Sequence, residues 1–233
     1  MAMQIFSEQP IRDFILIHVI FAILAAITLL VPIPTATISG KMLVLVLVYN
    51  GLVVLEFFGR GYEDWKNIWI FVFILSLLMV FPDWYLAETL GALQFPDDGF
   101  PMIGGAIPFY MAGLWAIPFF IIVFLGKEVQ NRKSQSLAYV VVSVVSVLIF
   151  VMAELILVNL PSWSATVIGM TGNLAWYIII PELILGLSTF ICYNIVKDSG
   201  IWMKIVGAFT VMIFYLGNAS FFYFIIEKLL LGS

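Results

Sequence analysis

The stretch that decides the fold runs from residue 137 to residue 160 and reads LAYVVVSVVSVLIFVMAELILVNL. Glu154 is the only charged residue within it. A helix needs about 20 mostly apolar residues to cross the hydrocarbon core of a bilayer, and this stretch meets that requirement. The stretch therefore predicts a membrane-spanning helix.

The rest of the chain has the same character. Hydrophobic residues make up 64% of the sequence and charged residues 10%, whereas a soluble domain carries about 25% charge. We predict an all-α, polytopic transmembrane bundle that forms a single domain over residues 1–233. Seven stretches are apolar enough to span, at approximately 12–33, 41–58, 67–87, 107–126, 137–160, 173–196 and 201–230.

The breaks between the predicted spans have turn chemistry, as in Gly59-Arg60-Gly61 and Asp97-Asp98-Gly99. The second predicted span is short and the seventh is long. We therefore expect the seventh helix to tilt or kink, near Gly217 and Asn218.

The lysines and arginines predict the orientation, because cytoplasmic loops are enriched in them. With seven spans, only Lys41 and Lys228 fall on one side, and the other eight of the ten basic residues fall on the opposite side. We expect the richer side, which holds the N-terminus, to be cytoplasmic, and the membrane to be the cytoplasmic (inner) membrane. Nucleic acid is not an expected partner, since the net charge is −4 and the basic residues are scattered.

Carboxylates inside the spans are the main functional signal. Glu182 is predicted near the middle of the sixth span, Glu154 in the outer part of the fifth and Asp83 near the outer end of the third. An ionised acid at the bilayer centre costs about 2.5–3.5 kcal/mol on insertion scales, and no lysine or arginine lies at their depth. We expect at least one of them to be protonated, and so able to protonate an alkene or epoxide, to relay protons or to bind a cation. A protonated acid that only hydrogen-bonds a neighbouring helix is the structural alternative.

Aromatic side chains accompany these acids near the outer side. They predict either an interfacial aromatic belt or a pocket whose ring faces stabilise a carbocation. The candidate substrate-binding residues are Trp84, Tyr85, Tyr110, Trp115 and Trp176, together with the polar Asn218.

The region from Asp83 to Pro118 resembles the integral-membrane lycopene cyclase domain. That family has a helix ending in Trp-Asp or a similar acid, then spaced glycine and aromatic residues, and then a helix opening with Pro-x-Glu-Glu. Tyr110 and Met111 stand here where the family has the paired glutamates, and Pro181-Glu182 is a second, fainter echo. The intermediate positions that carry the resemblance are Gly91, Phe95, Gly104, Pro108 and Trp115.

The resemblance implies a helical membrane fold and an isoprenoid-like substrate, as in carotenoid cyclases and fungal membrane-bound meroterpenoid cyclases. The fungal enzymes carry an essential acid on an early helix, and the resemblance makes Glu56 the corresponding candidate. An ion pair with Arg60, four residues further on, is the structural alternative for Glu56.

Three function classes follow from these features. The first is a membrane isoprenoid cyclase or isomerase that uses Glu182 with Asp83, Glu154 or Glu56 and needs no cofactor. The second is a proton- or cation-coupled transporter that uses the same acids, and the third is a non-catalytic scaffold or lipid-binding subunit. No metal site is predicted, because His18 is the only histidine.

Overall fold

A computed structural model describes residues 9–31, 36–157 and 162–232. In this described part of the chain, seven helices are long and apolar enough to cross a membrane, which confirms the predicted all-α bundle. They are α1 (Gln9–Leu30), α2 (Ile38–Arg60), α3 (Glu63–Thr89), α4 (Met111–Arg132), α5 (Gln135–Ile156), α6 (Trp176–Val196) and α7 (Ile201–Leu230).

Several helix boundaries differ from the approximate predicted spans, and polar residues extend two of the helices, α2 and α4, beyond their apolar stretches. The second helix is not short, since α2 gains a turn at its start, where Thr37 Oγ1 accepts the Gly40 N–H, and runs to Arg60. The fourth continues from the predicted end at 126 to Arg132, and an ion pair between Glu128 and Arg132 at 3.0 Å supports its last turn.

The irregular part of α7 lies later than we expected. Its backbone is α-helical from Ile201 to Tyr223, through Gly217 and Asn218, and becomes a π-helix over Phe224–Leu230. Asn218 Nδ2 donates to the carbonyl of Phe214 in the preceding turn. The departure from α-helical hydrogen bonding therefore falls at the C-terminal end of the helix.

Two loops cover the end of the bundle that the sequence predicts to be non-cytoplasmic. The first outer loop, residues 90–110, contains β1 (Leu93–Gln94), β2 (Met102–Ile103) and β3 (Ile107–Pro108). The second outer loop, residues 162–175, contains β4 (Ser164–Ala165), β5 (Met170–Thr171) and β6 (Leu174–Ala175). β2 pairs with β3 and β5 with β6 as hairpins, and β1 pairs antiparallel with β4, which joins the two loops.

Small residues bring α4, α5 and α6 together in the middle of the bundle. A Cβ added at Gly186 of α6 would lie 1.8 Å from the Oγ of Ser146 on α5, and one added at Gly126 of α4 would lie 2.6 Å from Val142 Cγ2. Glycine at helix contacts lets backbones approach closely in membranes. The helices are therefore tightly packed here, and a cavity lies on the outer side of the contact between Gly186 and Ser146.

Candidate functional site

A cavity of about 280 Å³ lies beneath the two outer loops. Asp83 of α3, Glu154 of α5 and Glu182 of α6 all line it, so three acids from three helices meet in one space. Apart from Asn173, the other described lining residues are apolar or aromatic, and none of them is a lysine or an arginine. The aromatic lining residues are Phe95, Trp115, Phe150, Trp163, Tyr177 and Tyr215.

Glu182 is the acid with the fewest partners. It lies in the first turn of the α-helical part of α6, after Pro181, and so nearer the outer end than we predicted. Proline is tolerated in a first turn because its missing N–H would have no partner there. The Glu182 side chain is only 5% exposed, and among the described residues its Oε2 has no hydrogen-bond partner. One buried carboxyl oxygen is therefore left unsatisfied beside an open space.

Asp83 is buried near the end of α3 and is held by an aromatic donor. Trp115, at the start of α4, donates its Nε1–H to Asp83 Oδ2 at 2.9 Å. The Trp115 ring also packs against Phe119 and Tyr215, at centroid distances of 5.6 and 6.1 Å. The hydrogen bond therefore orients both the carboxylate and one aromatic wall of the cavity.

Glu154 accepts hydrogen bonds on both carboxyl oxygens from the second outer loop. Trp163 Nε1–H donates to Oε1 at 2.9 Å, and Asn173 Nδ2 donates to Oε2 at 2.9 Å. Asn173 also uses its Oδ1 to accept the N–H of Ala165 in β4. The loop geometry and the position of this carboxylate therefore depend on each other.

Two tyrosines complete the polar lining. Tyr177 at the start of α6 and Tyr215 on α7 line the cavity with 3% and 2% exposed surface. Within the described ranges, neither hydroxyl has a hydrogen-bond partner. Sequence reasoning missed Tyr215, because it lies in an aromatic stretch of α7 where nothing distinguishes one ring from the next.

Glu56 does not belong to this cavity. It lies near the end of α2 that the sequence predicts to be cytoplasmic and pairs with Arg60, whose Nε is 3.0 Å from Glu56 Oε1. Arg60 also lies 3.6 Å from Asp13 Oδ2 on α1. The ion pair accounts for Glu56, and we leave it out of the candidate site.

Of the predicted substrate-binding residues, only Trp115 lines the cavity. Tyr110 is fully buried, and its hydroxyl donates to the carbonyl of Ser162, which ties the two outer loops together. Trp176 is 46% exposed and donates to Thr171 Oγ1. The other three also lie outside the cavity. The Trp84 ring stacks on that of Phe81, and Tyr85 begins a π-helical turn at the end of α3. Asn218 borders a groove on the outside of α7.

Each outer loop is attached to the bundle through a carboxylate that accepts backbone N–H groups. Glu227, in the π-helical turn of α7, is fully buried and accepts hydrogen bonds from the N–H groups of Ile168 and Gly169 at 3.0 and 3.2 Å. Asp98 of the first outer loop accepts the N–H groups of Ser39 and Phe100 at 2.9 and 3.2 Å. Partial burial raises the pKa of Asp98, but these hydrogen bonds to the ionised form outweigh it, so the pKa is lowered overall.

No set of three or more histidine, cysteine, aspartate or glutamate side chains in the described ranges is grouped to hold a metal ion. Where the cavity acids are hydrogen-bonded, their partners are indole and amide N–H groups.

The chain belongs to the family described as "Domain of unknown function (DUF6989)", whose model matches residues 80–226. The matched range contains all three cavity acids and both outer loops, whereas α1 and α2 lie outside it. Comparison with curated proteins found no match, and neither did comparison with solved structures.

Proposed function

We propose that the protein binds one end of an apolar, isoprenoid-like molecule in the outer cavity and protonates it there, as a metal-independent membrane cyclase or isomerase. The observation that carries this proposal is the unpartnered Oε2 of Glu182, buried beside the cavity. A carboxyl group in an apolar site without a cation is more stable uncharged, and a neutral carboxylic acid can donate its proton.

Compared with Glu182, the two other acids are better suited to accept a proton. Asp83 receives one N–H bond and Glu154 receives two, and such bonds favour the ionised form of a carboxylate. Because the three acids have different hydrogen-bond partners, we assign them different roles in proton transfer. Glu182 donates a proton at the start of the reaction, and Asp83 or Glu154 accepts one at its end.

The proposed step balances within one substrate molecule. The O–H bond of Glu182 breaks, and its proton forms a C–H bond with one carbon of an alkene, using the π electrons. A second alkene of the same molecule attacks the resulting cation and closes a ring. A neighbouring C–H bond then gives its proton to Asp83 or Glu154, which restores a double bond. Proton transfer back to Glu182 returns the site to its starting state.

Aromatic rings near the acids suit a cationic intermediate. Trp115 lies between Asp83 and Tyr215, and its ring centroid is 5.7 Å from that of Phe150. A cation over an aromatic face is stabilised by about 0.5–2 kcal/mol, with the larger values in desolvated sites. The cavity volume of about 280 Å³ is at the lower end for ligand pockets. A long isoprenoid would therefore place only its reactive end inside.

The test compares Glu182→Gln with Glu56→Gln in purified protein reconstituted into nanodiscs with isoprenoid polyenes and their oxygenated derivatives. We expect Glu182→Gln to lower product formation by roughly 10²- to 10⁴-fold, the usual contribution of a general acid. Glu56→Gln, which changes an acid outside the cavity, should keep the wild-type rate. If the wild-type protein converts none of these compounds, and Glu182→Gln leaves the lipid profile of producing cells unchanged, the proposal is wrong.

A second candidate function is favoured because the described residues that line the cavity include no lysine or arginine. Three acids in one cavity could instead carry protons or bind a cation, as in a coupled transporter. Proteoliposomes loaded with a pH-sensitive dye distinguish the two functions. A proton flux that Glu182→Gln abolishes would support transport, whereas flux equal to that of empty liposomes would exclude it.

A further inference from the structure

The cavity holds three polar groups for which the described protein supplies no partner. They are Glu182 Oε2 and the hydroxyls of Tyr177 and Tyr215. All three residues line the same space, although they come from α6 and α7. Asp83 and Glu154, in contrast, already accept hydrogen bonds from tryptophan and asparagine side chains.

These three groups share one kind of chemistry. A phenol can donate one hydrogen bond, and so can a neutral carboxylic acid. A pure hydrocarbon in the cavity would leave all of them desolvated and unpaired, which is unfavourable. A ligand oxygen with free lone pairs would instead satisfy two or three of them at once.

We infer that the molecule bound in this cavity carries a hydrogen-bond-accepting oxygen at the end that enters, and that Tyr177 and Tyr215 select for it. This inference rests on the proposed function for the apolar body of the ligand. It adds that the ligand is an oxygenated isoprenoid-like molecule rather than a hydrocarbon. Tyr177 and Tyr215 are then specificity-determining residues that hold the oxygen close to Glu182.

Ordered water is the alternative hydrogen-bond partner for these three groups. A polar cavity can hold a water that makes two to four hydrogen bonds. If water satisfies the two tyrosines permanently, ligand binding will not distinguish an oxygenated molecule from a hydrocarbon. The difference in affinity between an oxygenated ligand and a hydrocarbon therefore shows whether water or a ligand oxygen satisfies the tyrosines.

The experiment measures the dissociation constants of geranylacetone, a ketone, and of the hydrocarbon with the same carbon skeleton. The protein is the full chain in nanodiscs, and the readout is tryptophan fluorescence, since Trp115 and Trp163 line the cavity. The variants are Tyr177→Phe and Tyr215→Phe, which remove only the hydroxyl. The matched control is Tyr193→Phe, a buried tyrosine of α6 outside the cavity.

We expect the wild-type protein to bind the ketone more tightly than the hydrocarbon. Each cavity variant should weaken ketone binding by about 3- to 10-fold, the loss expected for one hydrogen bond, and leave hydrocarbon binding unchanged. Tyr193→Phe should change neither constant. Equal affinity for the two ligands, no ketone binding, or variants that weaken both ligands alike would overturn the inference.

These outcomes are separate from those of the catalytic test. A ketone preference that disappears in the two variants supports the inference even where Glu182→Gln changes no reaction. Conversely, conversion of a hydrocarbon polyene by a protein without the ketone preference would support the proposed function and overturn the inference.

Discussion

Three carboxyl groups share one cavity but differ in the hydrogen bonds that they receive. Asp83 and Glu154 each face indole or amide N–H groups, and Glu182 faces none in the described part of the chain. A carboxylate without donors in an apolar site carries an uncompensated desolvation cost, which its neutral form largely avoids. The division of roles among the acids thus follows from their neighbours, since all three have the same chemistry in isolation.

Infrared spectroscopy tests this difference for Glu182 directly. We expect the protein at neutral pH to show the carbonyl stretch of a protonated carboxylic acid, and Glu182→Gln to remove that band because it removes the neutral acid. Glu56→Gln should leave the band unchanged, since Glu56 is paired with Arg60. A band that survives in Glu182→Gln would assign the protonated group to another residue.

At the scale of whole helices, the packing of α5 against α6 closes the inner end of the cavity. Because a Cβ at Gly186 would overlap Ser146 Oγ, we expect Gly186→Ala to destabilise the protein by about 1–3 kcal/mol, as overpacking usually does. Thermal unfolding in detergent measures this. Gly51→Ala on α2 is the control, because nothing lies within 4 Å of its added Cβ. A variant of Gly186 that unfolds at the wild-type temperature would show that the two helices can separate without cost.

The first outer loop is attached to the start of α2 through Asp98, and this attachment should depend on pH. The lowered pKa means that the hydrogen bonds of Asp98 contribute fully above the ordinary aspartate pKa of about 4 and are lost as the pH falls through the lowered value. We expect the hydrogen-exchange protection of the Ser39 and Phe100 amides to fall over that acidic range.

Two variants control the pH experiment. Asp98→Asn keeps an acceptor but cannot titrate, so its protection should not change with pH over the same range. Asp97→Asn changes the neighbouring exposed acid and should leave the wild-type profile intact. A wild-type profile that is flat through the acidic range would contradict the role of Asp98.

At the scale of the whole molecule, the sequence predicts the seven helices better than it predicts their arrangement. Each span must satisfy its own backbone and present apolar side chains to lipid, so hydropathy along one stretch suffices to find it. The meeting of Asp83, Glu154 and Glu182 depends on contacts between helices far apart in the chain. The loop residues Trp163 and Asn173, which hold Glu154, follow no periodic pattern. The sequence thus predicts the three acids as candidates. It does not predict that they meet in one cavity or which residues donate hydrogen bonds to them.

The orientation of the bundle in the membrane also needs an experiment. The cavity and both outer loops lie at the end that the distribution of basic residues predicts to be non-cytoplasmic. In a Cys192→Ser background, which removes the only cysteine, Asp97→Cys places a thiol in the first outer loop and Lys133→Cys places one between α4 and α5. A membrane-impermeant maleimide added to intact cells should label the first variant and should label the second only after the membrane is opened. The reverse pattern would place the acids on the cytoplasmic side, and any proton supplied to the cavity would then come from the cytoplasm.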